Sequence, residues 1–155
     1  MNGAGLFTVF PKPGKSVTLP PAMTLVIPQA ILSEIKTRAI ASRPDECCGL
    51  LGGRGTLVQT HYPLRNVAEH PERRYFAAPE DLFAAMRRMR EEGERMLVIY
   101  HSHPRGPARP SATDLAMAFY PRAVYLIIAP ESEAEVCAFG LNGSSFTEIE
   151  IEVSA

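Results

Sequence analysis

A strand-like stretch that runs directly into two histidines constrains the fold of this chain more than any other feature. The residues from Met96 to Tyr100 are apolar, β-branched or aromatic and have the length of a strand, and His101-Ser102-His103 follows without a break. Because side chains alternate along a strand, both imidazoles should project from the same face at its carboxyl end. The chain therefore predicts a polar site at the end of a buried strand.

A helix start follows the two histidines after a short loop. The loop contains Pro104, Pro107 and Pro110. Ser111 then provides a helix N-cap, and Asp114 follows three positions later, in the first turn. A strand, a tight loop and a helix in this order can bring His101, His103 and Asp114 to one point.

Length and charge favour one globular domain with no affinity for polyanions. At 155 residues the chain can bury a core without disulfides or a structural metal, so that a bound metal would suit catalysis better than folding. The 16 basic and 17 acidic residues give a net charge of -1, with a sequence pI of about 6.4. This balance argues against nucleic acid or an anionic membrane as a partner.

The cysteines and the apolar runs favour the cytoplasm. Three cysteines are an odd number, and Cys47 and Cys48 are adjacent, which is a poor basis for a disulfide framework and fits a reducing compartment. The longest apolar run, Ala123 to Ala129, is far too short to span a membrane. We therefore expect a cytoplasmic protein with no membrane partner.

Glycine and proline positions divide the chain into an arm and a domain. Residues 1–22 contain three glycines and four prolines and no periodic pattern, so they predict a flexible arm, and residues 23–155 predict one domain. Helices should open at Pro28 and Pro79, with buried stripes of Ile31, Leu32, Ile35 and Ala39 in the first and Leu82, Phe83, Met86 and Met89 in the second. Strands are predicted over residues 23–27, 47–52, 56–62, 96–100, 124–129, 135–139 and 146–153.

Two features of this pattern bear on the fold. A hairpin should turn at Gly53-Arg54-Gly55, and Thr147, Ile149, Ile151 and Val153 should face the core while Phe146 and the intervening glutamates face water. Strands alternating with helices and ending in a meander predict an α/β domain of three layers around a mixed sheet.

The two histidines and the aspartate admit two interpretations. Two neutral imidazoles and one carboxylate are a suitable ligand set for zinc, with one coordination position left for water. Alternatively, the histidines form a polar strand end and Ser111 with Asp114 form a capping box that binds no metal. The presence of all four residues at strand, loop and helix spacing favours the metal.

A hydrolase would also need a general base, and Glu46 is the best candidate. It precedes the apolar stretch Cys47 to Gly52, where a carboxylate is unfavourable unless it is paired or functional. The other interpretation is an exposed residue at the turn from helix to strand. Cys48 shares the alternation of Glu46 and is either a thiol facing the site or a small buried residue, whereas Cys137 is expected in the core.

These residues together resemble a known family. His101-Ser102-His103, seven residues, Ser111, two residues and Asp114, with Glu46 upstream in Glu-Cys-Cys-Gly-Leu-Leu-Gly, resemble the JAMM motif of the MPN+ zinc metalloprotease family. The resemblance covers residues 23–153 and extends to Asn66 and Tyr75-Phe76, and the compact length is similar to that of bacterial single-domain members.

The resemblance implies a curved mixed sheet flanked by helices in a cytidine-deaminase-like JAMM/MPN fold. It implies Zn²⁺ bound by His101, His103 and Asp114, with Glu46 activating water and Ser111 donating to the oxyanion or orienting the water. The expected reaction is hydrolysis of the amide bond after the C-terminal Gly-Gly of a ubiquitin-like protein or of a sulfur carrier similar to ThiS and MoaD. The segment from Leu64 to Ala78 could form one wall of the cleft.

Two other functions stay open at this point. One is a non-catalytic MPN-type scaffold, against which the intact ligand set argues. The other is a RadC-like protein associated with DNA repair, which the neutral charge and Glu46 disfavour. The sequence leaves the carrier's identity and the oligomeric state open.

Overall fold

The computed structural model describes residues 23–132 and 135–155, and the predicted flexible arm of residues 1–22 lies outside this part of the chain. No helix within these residues is long and apolar enough to cross a membrane. The described residues form seven strands and three helices: β1 (Thr24–Pro28), α1 (Gln29–Ala41), β2 (Cys48–Arg54), β3 (Leu57–Leu64), α2 (Pro79–Glu91), β4 (Arg95–Ser102), α3 (Ala112–Ala116), β5 (Val124–Ala129), β6 (Glu135–Asn142) and β7 (Ser145–Ser154).

The strands form one mixed sheet that closes on itself. Their order is β1, β3, β2, β4, β5, β6 and β7, and β7 returns to β1. The β1–β3, β1–β7 and β4–β5 pairs are parallel and the remaining pairs are antiparallel. The α/β class with a mixed sheet is confirmed, and the sheet closes into a barrel because β1 pairs with β7 over five residues.

Helix α1 covers one face of the sheet, as its sequence predicts. Ile31, Leu32, Ile35 and Ala39 are its buried residues. They pack with residues that alternate along the strands, such as Leu51 of β2. The spacing of apolar residues every three or four positions is what allows the helix to bury one stripe.

Helix α2 packs in a second cluster, with strand residues of the opposite parity such as Leu50. Its buried residues are Leu82, Ala85 and Met89, while Met86 is half-buried. The prediction that Phe83 lies on this face is wrong, since its side chain is 51% exposed. The buried stripe follows positions i, i+3 and i+7, and Phe83 lies about 100° away from Leu82 around the axis.

Strand β7 fits its predicted alternation only in its middle. Ile149 and Ile151 are half-buried against the core, whereas Val153 is 45% exposed at the strand's end. Phe146 does not face solvent as predicted. Its ring centroid lies 5.5 Å from that of Tyr125 and 6.1 Å from that of Phe139. Aromatic neighbours on β5 and β6 therefore cover this end of β7.

The β2–β3 hairpin turns at Gly55, the last residue of the predicted turn Gly53-Arg54-Gly55. Gly55 has a φ of 60°, the left-handed region that glycine occupies without strain. Both strands run two residues further than the sequence suggests, β2 to Arg54 and β3 to Leu64.

Candidate active site

The two histidines meet at the carboxyl end of β4. His101 is the last but one residue of that strand and is 2% exposed. His103 follows directly, and its backbone N–H donates to the carbonyl of Ile128 on the neighbouring parallel strand at 2.8 Å. The Nε2 atoms of the two imidazoles lie 3.0 Å apart, so the rings do project to the same point.

Asp114 joins the histidines from the first turn of α3. Its Oδ1 lies 3.2 Å from His101 Nε2 and its Oδ2 lies 3.1 Å from His103 Nε2. The predicted capping box is also present: Asp114 N–H donates to Ser111 Oγ at 3.0 Å, and Ser111 N–H donates to Asp114 Oδ2 at 2.8 Å. The cap and the approach to the imidazoles thus coexist in one carboxylate.

A backbone contact sets the tautomer of His103. Its Nδ1 lies 2.9 Å from the carbonyl oxygen of Pro107, which can only accept, so Nδ1 carries the proton. In the neutral ring the Nε2 lone pair then points toward His101 and Asp114. The Nδ1 of His101 is buried and finds no hydrogen-bond partner within the described residues. An aromatic neighbour supports the ring instead, since Tyr75 stacks on His101 with centroids 4.8 Å apart.

The three donor atoms fit a tetrahedral metal ion. Zinc bonds of about 2.0–2.1 Å at tetrahedral angles place neighbouring ligand atoms about 3.3 Å apart. The separations among His101 Nε2, His103 Nε2 and the Asp114 oxygens are 3.0–3.2 Å. Converging acceptors in a buried site repel one another unless protons or a cation lie between them, so the residues present suit a dication.

Glu46 lies beside this group as a second carboxylate. One of its oxygens and the two imidazoles offer ligand atoms that all lie within 4.8 Å of one another. Asp114 places its oxygens 3.1–3.2 Å from the imidazole nitrogens. Either carboxylate could therefore complete a set of three donors with His101 and His103.

Burial and neighbouring charges shift the pKa values of Glu46, Asp114 and His103. Burial raises the pKa of Glu46 to about 7, against a lowering by His103 and a further raising by Asp114. Burial also acts to raise the pKa of Asp114, but hydrogen bonds from His101 and His103 outweigh it and hold that pKa well below its usual range. Burial acts to lower the pKa of His103, but the contacts with Asp114 and Pro107 outweigh it, so the pKa is raised.

The backbone around Glu46 is fixed by residues whose role the sequence does not reveal. Glu46 is 6% exposed and lies two residues before β2, so the exposed-turn interpretation is wrong. Its N–H donates to the carbonyl of Pro71 at 2.8 Å. The next residue, Cys47, donates its N–H to the buried Ser102 Oγ at 2.8 Å, which connects the Glu46 segment to the strand that carries His101.

Asn66 connects Glu46 to the cleft wall. Its Nδ2 donates to the carbonyls of Glu46 at 2.9 Å and Arg74 at 3.0 Å, and its Oδ1 accepts from the N–H groups of Ala68 and Phe76, both at 3.0 Å. One side chain therefore holds the Glu46 segment and the cavity wall in a fixed relation. Its only signal in the sequence was its place in the family resemblance.

Arg38 supports the same region from α1. Its guanidinium donates to the backbone carbonyls of Cys48 and Leu64 and to the Tyr100 hydroxyl. The Tyr100 ring packs over Gly49, where an added Cβ would overlap it. Arg38 and Tyr100 thus fix the start of β2 from the face of the sheet that α1 covers.

The cysteines take no part in the site. Cys48 is 1% exposed in the α2 cluster, and burial raises the pKa of its thiol to about 12. Cys137 is buried under β5 and β7, as expected. Of the two interpretations of Cys48, the small buried residue is the one that forms.

A cavity of about 550 Å³ opens over the site. Part of the predicted wall lines it, namely residues 72–75, together with the loop after His103 and the start of α3. Apolar side chains from β5 and β7 close one side of it. The space suits an extended peptide segment.

Comparison with known proteins identifies the family. The family model of prokaryotic homologs of the JAB domain matches residues 28–140. The chain belongs to this family. The match includes Glu46 and every residue of the His101 to Asp114 motif, so the resemblance noted from the sequence is confirmed.

Several curated relatives of the chain have names that describe cleaving enzymes. A desampylase of Haloferax volcanii is 33% identical over 80% of this chain and 89% of its own length. A probable TtuB-protein conjugate cleaving protease of Thermus thermophilus is 37% identical over 70% of this chain and 72% of its own. A CysO-cysteine peptidase of Mycobacterium tuberculosis is 33% identical over 68% of this chain and 73% of its own length. The predicted peptidase activity is confirmed at this level.

Solved structures agree on the fold. A protein from Desulfitobacterium hafniense is 36% identical, with a TM-score of 0.75 over 85% of this chain and 93% of that one. A JAB1/MPN domain protein from Archaeoglobus fulgidus is 20% identical, with a TM-score of 0.56 over 84% of this chain and all of the other, which shows the fold alone.

Proposed function

We propose that this protein is a zinc-dependent peptidase or isopeptidase that hydrolyses the amide bond after the C-terminal Gly-Gly of a ubiquitin-like or sulfur-carrier protein. The observation that carries the proposal is the convergence of two imidazole nitrogens and a carboxylate at 3.0–3.2 Å, beside a buried glutamate whose pKa lies near 7. We assign this activity to one domain, residues 23–155.

His101, His103 and Asp114 would hold the ion. Bound zinc would supply Lewis acidity, which polarises the scissile carbonyl and makes a water molecule easier to deprotonate. Pro107 fixes the His103 ring through Nδ1 so that Nε2 faces the ion, and the α3 cap fixes the Asp114 carboxylate.

Glu46 would move the proton. As a carboxylate it accepts a proton from the attacking water, and as the acid it delivers that proton to the leaving amine. Burial raises the pKa of Glu46 to about 7 in the metal-free protein, and a bound dication would lower that pKa and so favour the carboxylate that accepts the proton. Its segment is held by Asn66, and Cys47 beside it by Ser102, so the carboxylate approaches the reacting atoms in a fixed position.

Ser111 would stabilise the developing negative charge. Its Oγ already accepts from the Asp114 N–H, which fixes the position of the oxygen and leaves the hydroxyl proton to donate elsewhere. A donor held in place before the reaction is what an oxyanion requires.

The relatives and the cavity support the substrate class. The names of the relatives refer to cleavage of conjugates of a small protein, TtuB, and to a CysO-cysteine bond. Glycine brings no side-chain bulk, so a Gly-Gly tail can extend into the cavity to the buried imidazoles. The intact donor set and the peptidase relatives leave no observation that favours a scaffold or a DNA-repair role.

The test combines metal content with cleavage of defined carriers. Zinc-loaded protein is incubated with ThiS-like and MoaD-like carriers extended beyond Gly-Gly, and the products are weighed by mass spectrometry. We expect cleavage after Gly-Gly, loss of cleavage with retained zinc in Glu46→Gln, and full activity in Glu91→Gln, an exposed carboxylate of α2. Undiminished cleavage by Glu46→Gln would refute the assigned mechanism, and protein purified without zinc and unable to bind it would refute the metal.

A further inference from the structure

The mouth of the cavity carries an excess of positive charge that the proposed chemistry does not use. Four exposed arginines line it and are here called the basic rim: Arg73, Arg74, Arg105 and Arg109. Apart from Glu46 and Asp114 at the centre, the only acidic residue in the lining is Glu72. Since the whole chain has a net charge of -1, this charge is local to the cavity.

Two of these arginines have no ionic partner among the described residues. Arg109 donates to Glu148 at 2.9 Å, and Arg73 lies 3.9 Å from Glu72. Among the described residues no carboxylate makes an ion pair with Arg74 or Arg105. Their charge is therefore available to a bound molecule.

The two arginines lie on different segments of the cavity lining. The backbone of Arg74 is held by Asn66, and the next residue, Tyr75, stacks on His101. Arg105 stands two residues beyond His103, in the loop that contains Pro104 and Pro107. A chain segment bound in the cavity would thus meet arginines from two different segments of the lining.

We infer that the basic rim binds acidic side chains of the carrier protein just before its Gly-Gly tail. This inference rests on the proposed function, because it takes the tail as the occupant of the cavity. Two carboxylates along an extended segment match guanidinium groups from two segments of the lining, whereas the single carboxylate of a released residue would match one. Nucleic acid is the less suitable occupant, since its affinity comes from many phosphate contacts and the rim offers four arginines.

The expected effect is a charge preference in binding. Each exposed ion pair changes affinity by about threefold, so two give roughly tenfold. Salt should weaken the preference, because the Debye length falls to about 3 Å near 1 M.

Binding of labelled peptides to the full chain tests this directly. Three peptides end in Gly-Gly and differ only in two upstream residues, which are glutamates, serines or lysines, and fluorescence anisotropy gives their affinities. We expect the glutamate peptide to bind about tenfold more tightly than the serine peptide, and R74E/R105E to favour the lysine peptide instead. The matched control R87E/R90E, on the outer face of α2, should keep the original order.

The outcomes separate this inference from the proposed function. Equal affinity for the three peptides, or an unchanged order in R74E/R105E with a native circular dichroism spectrum, would overturn the inference. Stronger competition by a single-stranded oligonucleotide than by the glutamate peptide would also overturn it. Tight binding of the glutamate peptide without cleavage of any Gly-Gly amide would support the charge preference and overturn the proposed function.

Discussion

Replacing Glu46 by glutamine should stabilise the metal-free protein while removing its activity. Burial raises the pKa of this carboxyl from 4.5 to about 7, so its charged form is unfavourable in the folded state. One pKa unit corresponds to about 1.36 kcal/mol, and the shift therefore lowers the free energy of unfolding by about 3 kcal/mol once the group is ionised in both states. Glutamine has the same shape and no charge.

The direction of the change in stability follows from how the free energy of unfolding depends on pH. A carboxyl with a raised folded pKa binds its proton more tightly in the folded state, so stability falls as the pH rises from about 4.5 to about 7. The advantage of Glu46→Gln should thus be about 1 kcal/mol at pH 5 and about 3 kcal/mol at pH 8. For a chain of this length, 3 kcal/mol corresponds to a rise of roughly 6 to 12 °C in Tm.

Calorimetry of chelator-treated protein at the two pH values measures the effect. Glu91→Gln is the matched control and should show no pH-dependent gain, because its side chain is exposed on α2. With zinc bound the gain should shrink, since a nearby dication stabilises the carboxylate. Equal unfolding temperatures for wild type and Glu46→Gln at pH 8 would refute the reasoning that burial of this charge is unfavourable.

Four further changes test other parts of the site. His103→Ala should lose bound zinc by elemental analysis, because one of three ligands is gone; full zinc content would contradict the assignment. Asn66→Ala should lower kcat more than tenfold at unchanged zinc content, since the Glu46 segment loses its tie to the wall; wild-type kcat would remove that role. Gly49→Ala should destabilise the fold by about 1–3 kcal/mol in urea unfolding because its Cβ overlaps the Tyr100 ring, and an unchanged midpoint would count against the packing. Peroxide should slow wild type and Cys48→Ala equally, since that thiol is buried and its pKa is near 12; selective protection by the substitution would show that the thiol is accessible.

The parts of the fold that the sequence predicts are those with local causes. The stripe of α1 follows from apolar spacing, and the meeting of the imidazoles follows from alternation along β4. Barrel closure depends on pairing Thr24 with Glu150, and no local pattern specifies a contact between residues so far apart. The exposure of Phe83 likewise depends on which face of α2 the sheet covers.

The same division holds for the site. The motif gives the ligand candidates because strand, loop and helix are consecutive in the chain. The roles of Asn66, Ser102 and Arg38 could not be predicted, because each acts through backbone groups of segments that are distant in sequence. Glu46 is an intermediate case. Its residue type suggested a general base, but its burial depends on a segment distant in sequence, whose Pro71 carbonyl accepts from the Glu46 N–H.

The shared carboxylate of α3 has a consequence for how the protein gains its order. This helix has five residues and buries none of them, and Asp114, the N3 residue of its capping box, is also the carboxylate that approaches both imidazoles. If Asp114 binds the ion as we propose, the capping box holds a ligand in place, and metal binding would in turn stabilise the start of the helix. Metal removal would then weaken the helix start and the end of the loop after His103 together.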